Sequence, residues 1–119
     1  DGRLVHDFNI GATHQIVRSD ARVPNRKCRL GFRMQRVDNR GTGTLLIDGT
    51  PVGEMTTNDL FRGLISWSGL DIGRDRGSPV SHYAAPNAFT GKINKVTVTI
   101  GDDQTLDGEA TGRAEMGRQ

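Results

Sequence analysis

Apolar residues recur at every second position over much of this chain, and a period of two predicts β-strands rather than helices. The clearest case is residues 28–34, where Cys28, Leu30, Phe32 and Met34 fall on one face and Arg29 and Arg33 on the other. The same alternation predicts strands at residues 3–10, 14–18, 64–68, 70–72 and 94–100.

Turn signals separate these strands. The Asp48-Gly49 pair predicts a tight hairpin between two apolar runs, and residues 38–41 predict another turn. Residues 20–25 predict a loop, and residues 58–63 a helical turn or a loop. Seven or eight short strands separated by Gly- and Asp-rich turns predict an all-β protein, an antiparallel β-sandwich.

The alternation stops after Gly101. We therefore divide the chain into a sandwich domain at residues 1–101 and a C-terminal tail at 102–119, which forms at most a weak helix because three glycines interrupt it. The chain has 119 residues, enough for one domain, and a net charge of +2, too small to indicate nucleic acid. No run has the length of a membrane span, and the single Cys28 excludes an intrachain disulfide.

Three segments, taken in order, carry a family resemblance. They are GTLLIDGTPVG at residues 43–53, DIGRDRGSPVS at 71–81 and FTGKINKVTV at 89–98. Together they resemble the C-terminal accessory domain of bacterial arylsulfatases. The resemblance implies a jelly-roll sandwich of the concanavalin-A-like or laminin-G-like kind, further strands before Asp1, and attachment to an N-terminal sulfatase catalytic domain.

The resemblance implies a parent that hydrolyses sulfuric esters with formylglycine and a divalent cation such as calcium. The formylglycine precursor is the first residue of C/S-x-P-S-R, and Cys28-Arg29-Leu30-Gly31 departs from that motif at every later position. We therefore expect no catalytic or cofactor-binding residues here, and no enzyme activity from this chain alone. Whether the parent is cytoplasmic or exported stays open.

Two sets of residues are candidates for binding. Asp71 and Asp75 could contribute to a calcium site, but the interleaved Arg74 and Arg76 favour turn hydrogen bonds instead. Guanidinium groups suit sulfate or carboxylate oxygens, although a solvated sheet face is the more ordinary interpretation of arginines on a strand. The ligand-binding candidates are Arg29, Arg33, Trp67, His82 and Tyr83.

Two functions follow. The leading one is a non-catalytic domain that packs on the catalytic domain or supports oligomerisation. The alternative is a module that binds an anionic or sulfated glycan. Because a sandwich without its first strands leaves an open edge, we also expect a homo-oligomer whose contact involves residues 3–10 or 107–119.

Overall fold

The structure is a computed structural model that describes residues 1–58 and 70–101. Within these residues it is all-β, with strands β1 (Arg3–Ile10), β2 (Thr13–Arg22), β3 (Leu30–Val37), β4 (Arg40–Ile47) and β5 (Thr50–Thr57). All described pairings are antiparallel, in a two-stranded sheet β1-β2 and a three-stranded sheet β3-β4-β5. A search of the same residues finds no helix with the length and apolar character of a membrane span.

Strands β1 and β2 form a hairpin with a bulge near its open end. Its two-residue turn, Gly11-Ala12, has positive φ at both positions, as type I′ hairpin turns require. At the bulge, the buried Ser19 hydroxyl accepts the backbone N–H of Leu4 at 3.0 Å and donates to the carbonyl of Ala21 at 2.6 Å. This side chain therefore replaces ladder bonds that the bulge interrupts.

The predicted Asp48-Gly49 hairpin is present between β4 and β5. Asp48 has φ 50° and Gly49 φ 82°, and the flanking Ile47 and Thr50 are paired. The Asp48 carboxylate also accepts the backbone N–H of Arg29 at 2.8 Å and lies 2.8 Å from Nη2 of Arg26. The turn therefore anchors the segment that leads into β3.

The two sheets pack face to face, with β2 over β5 and β1 over β4. Val17, Leu45 and Ile47 are the buried apolar side chains of the described core. At its centre β2 approaches β5 so closely that a Cβ on Gly53 would lie 3.0 Å from the carbonyl oxygen of Arg18 and 3.4 Å from Val17. The predicted antiparallel β-sandwich is confirmed.

Strand boundaries differ from the sequence prediction in several places. The strand predicted at 3–10 is confirmed, the one predicted at 14–18 extends to Arg22 into the predicted loop, and the one predicted at 28–34 runs instead over Leu30–Val37. The strands predicted at 70–72 and 94–100 are wrong, because no described strand pairs with either segment. The strand predicted at 64–68, most of 58–63 and the tail at 102–119 lie outside the described residues.

Replacing Gly53 with alanine tests the contact between the sheets. The added methyl group would meet the backbone of β2, which cannot rotate away, so we expect Gly53→Ala to lower the free energy of unfolding by about 1–3 kcal/mol. Gly31→Ala is the matched control, since its nearest neighbour would be a Leu46 side-chain atom at 3.6 Å. Equal urea-unfolding curves for the two variants would contradict this packing.

Candidate functional site

Residues 71–89 form a loop that is organised by its own two carboxylates. Asp71 accepts the backbone N–H of Arg76 at 2.8 Å and its Nε–H at 2.5 Å. Asp75 accepts the backbone N–H of Val80 at 3.2 Å and the hydroxyl of Tyr83 at 3.0 Å. Both candidate metal ligands are therefore directed at donors within the loop.

Hydrogen bonding and burial shift the pKa values of two side chains in the loop. The Arg76 backbone N–H, followed by its guanidinium group, lowers the pKa of Asp71. Burial, followed by the hydrogen bond to Asp75, raises the pKa of Tyr83. Over residues 1–58 and 70–101, no three His, Cys, Asp or Glu side chains are grouped so that they could hold a metal ion.

The loop lies on the outer face of the β1-β2 hairpin. The strand register places Asp7, Asn9 and His14 on this face, opposite to the side that packs on the second sheet. The Asn9 amide donates to the carbonyl of Val80 at 3.2 Å. The rings of His14 and His82 lie with centroids 4.4 Å apart, tilted by 32°. A hydrogen bond and a ring contact therefore connect this part of the loop to the hairpin.

Asp7 is the centre of these contacts. Its side chain is only 5% exposed, and its Oδ2 lies 2.7 Å from Nδ1 of His14. No described group makes a well-formed hydrogen bond to Oδ1, yet the Ser81 hydroxyl lies near enough to favour the ionised carboxylate. Burial raises the pKa of Asp7, but Ser81, His14 and His82 together lower it below the ordinary value. The carboxylate therefore stays ionised although it is shielded from water.

His6 faces the inside of the sandwich, next to Asp7 in sequence but on the other side of the sheet. Its ring centroid is 3.5 Å from that of Phe32, and its Nδ1 is buried without a described hydrogen-bond partner. Burial lowers the pKa of His6, and the nearby Asp7 charge opposes that shift. His6 is therefore a neutral, half-buried residue of the inner face at neutral pH.

The sequence did not single out Asp7 or His14. Asp7 read as a polar position in an alternating strand, and nothing in its spacing linked it to Ser81 and His82, more than seventy residues later. The only available signal was the charge of Asp7 between the apolar side chains of a strand. The cluster therefore forms only when the chain folds, and the spacing of its residues in the sequence does not reveal it.

The predicted ligand-binding residues are not gathered in one place. Arg33 lies on the outer face of the three-stranded sheet, opposite Thr44, and Arg29 precedes β3 beside the Asp48 turn. His82 and Tyr83 belong to the loop on the outer face of the other sheet, on the opposite side of the sandwich. Trp67 lies outside the described residues. The arginines therefore cannot share one ligand site with the loop.

An open groove of ≈ 620 Å³ follows the loop, and its lining includes Asp71, Arg74, Asp75, Tyr83 and Phe89. A site for a sugar or an anion needs a few convergent polar groups that are free to bind. In this groove the two carboxylates and the Tyr83 hydroxyl already bond within the loop.

The most conspicuous surface is apolar. We use the name apolar band for Phe89, Ile93, Val96, Val98 and Ile100, all exposed large hydrophobic side chains. Val98 is 75% exposed and Ile100 60%. Single exposed apolar residues are ordinary, whereas here five of them fall within twelve positions of the chain.

Comparison of the chain with protein-family models, with curated proteins and with solved structures finds no match in any of the three.

Asp7→Asn tests whether the carboxylate holds the loop. Loss of the charge weakens a buried, charge-assisted contact, so we expect stability to fall by about 1.5–3 kcal/mol. Hydrogen exchange at the amides of residues 80–83 should accelerate more than exchange in β4. Asp20→Asn, at an exposed position, is the control and should change stability by no more than about 0.5 kcal/mol. Unchanged exchange at 80–83 in Asp7→Asn would show that other contacts hold the loop.

His6 should make the sandwich acid-sensitive near its ordinary pKa of 6.5. Because folding lowers that pKa, the unfolded chain takes up the proton first as the pH falls, and stability declines from about pH 6.5 down to the folded pKa. Asp7, whose pKa is lowered from 3.8, loses its contribution only in more acidic solution. In urea unfolding from about pH 8 to about pH 5, His6→Gln should show a smaller decline than wild type. Parallel curves would contradict the assignment.

Proposed function

We propose that this chain is a non-catalytic β-sandwich accessory domain of an arylsulfatase-like sulfuric ester hydrolase, which packs through the apolar band on a neighbouring protein domain. The observation that carries the proposal is the exposure of the five apolar-band side chains on a sandwich with a small described core. Burying one Val or Ile side chain is worth about 1.5–3 kcal/mol, so a partner that covers the band gains substantial binding energy.

In this proposal the polar cluster around Asp7 has a structural role. The Asp7–His14 pair has two members of a hydrolytic triad, which also needs a nucleophile bonded to the histidine. Among the described residues no hydroxyl or thiol makes a hydrogen bond to His14. Ser81 instead favours the charged form of Asp7, consistent with a structural role for the cluster.

The resemblance of residues 43–53, 71–81 and 89–98 to arylsulfatase accessory domains supplies the class of partner. In this proposal, the neighbouring sulfatase catalytic domain contributes the formylglycine and the divalent cation. The accessory domain contributes surface area and stability. The apolar band overlaps the last of the three resembling segments, so the resemblance and the exposed surface coincide in sequence.

A pair of double variants tests this docking. The apolar-face variant carries Val96→Glu and Val98→Glu, and the polar-face variant carries Thr97→Glu and Thr99→Glu. Both add the same charge to the same segment, but only the first removes apolar surface. We expect the apolar-face variant to bind a separately produced arylsulfatase catalytic domain at least about 100-fold more weakly than wild type, measured by calorimetry, because it loses two buried valines.

The polar-face variant should retain binding within a few-fold of wild type. Equal weakening by both variants would mean that added charge, and not the loss of apolar contact, is responsible. Absence of binding by the wild-type chain would contradict the proposed function.

A further inference from the structure

Within residues 1–58 and 70–101, the sandwich has two unpaired strand edges on one side. Among the described strands, β1 pairs only with β2, and β3 pairs only with β4. Both edges border one shallow cleft of ≈ 370 Å³, lined by residues 4–7 of β1, by residues 30–32 of β3 and by Leu45. An edge strand with free N–H and C=O groups is a template for another strand.

The cleft between these edges is apolar and open to solvent. Leu30 is 44% exposed, Val5 40% and Phe32 37%, although Leu30 and Phe32 belong to the inward-facing side of β3. In a closed sandwich such inward side chains are covered. A strand added along β1 would continue the two-stranded sheet over this cleft.

The chain itself carries a segment with the properties such a strand needs. Residues 94–100 alternate Val96, Val98 and Ile100 with Thr97 and Thr99, yet they form no described ladder. The three aliphatic side chains are exposed, and an extended conformation would place them on one face of the segment. At about 3.3 Å per residue, the seven residues span about 23 Å, close to the length of about 26 Å for the eight residues of β1.

We infer that a second copy of this chain lays its residues 94–100 along the free edge of β1, and that the first copy does the same in return. The acceptor edge and the donor segment are present in every copy and unoccupied within the described residues. A two-fold axis therefore satisfies both at once and closes the assembly at two chains. This inference rests on the proposed function in treating the apolar band as a docking surface. It assigns Val96, Val98 and Ile100 of that band to a second copy of the chain, so the two partners compete for these side chains.

Solution size is the first test. We expect sedimentation equilibrium at micromolar concentration to give a mass twice the 13.0 kDa of the chain. The apolar-face variant should raise the dimer dissociation constant about 100-fold or more, whereas the polar-face variant should change it by less than about 3-fold. A monomeric wild-type chain would overturn the inference.

Cross-linking locates the contact. In a Cys28→Ser background, a copy with Val5→Cys is mixed with a copy with Thr97→Cys and treated with a short bismaleimide. We expect a mixed cross-linked dimer, and much less product when Glu54→Cys, on β5 away from the cleft, replaces Val5→Cys. Equal or greater product with Glu54→Cys would overturn the assigned edge.

The results separate this inference from the proposed function. A monomer that binds the sulfatase catalytic domain through its apolar face would overturn the strand exchange and leave the docking function standing. A dimer that is cross-linked between β1 and residue 97 but does not bind the catalytic domain would support the strand exchange and contradict the docking function.

Discussion

The close approach of β2 to β5 at Gly53 is the constraint on which the rest of this structure depends. There the Val17 side chain packs beside Leu45, and the backbone carbonyl of Arg18 lies so close that a Cβ on residue 53 would be tightly crowded against it. This contact between β2 and β5 fixes the position of the β1-β2 hairpin on the three-stranded sheet. The hairpin in turn presents its outer face to the loop, and the loop leads into the apolar band.

The two faces of the hairpin have different roles. The inner face contributes Val17, Ser19 and His6 to the sandwich, and the outer face presents Asp7 and His14 to the loop. Because side chains alternate along a strand, neighbours in sequence such as His6 and Asp7 act on opposite sides. Burial disfavours the charged form of His6, whereas hydrogen bonding keeps Asp7 charged in its shielded position.

The two carboxylates and the tyrosine hydroxyl of the loop make their hydrogen bonds within the loop. Asp71 and Asp75 bond to Arg76, Val80 and Tyr83. The arginines near β3 lie on the opposite side of the sandwich from His82 and Tyr83, so no shared polar site forms. The exposed apolar side chains that end the described chain are therefore the basis of the docking that we propose.

The sequence by itself determined the elements whose signals are local. Alternation in residues 3–10 and the Asp48-Gly49 turn predicted a strand and a hairpin that are both present, because side-chain periodicity and positive φ act within a few residues. The same reasoning was wrong at residues 94–100, where the alternation is equally clear. A strand exists only with a hydrogen-bonded partner, and the sequence of a segment does not contain its partner.

Only the tertiary structure decided the cluster of Asp7, His14 and His82 and the separation of Arg33 from Tyr83. These relations depend on which sheet face each strand residue occupies and on where a distant loop lies against that face. Register and sheet packing involve residues far apart in the chain, so no local pattern encodes them. For the same reason the sequence marked Asp71 and Asp75 as turn residues but did not indicate that Asp7 lies close to Ser81 and His82 of the same loop.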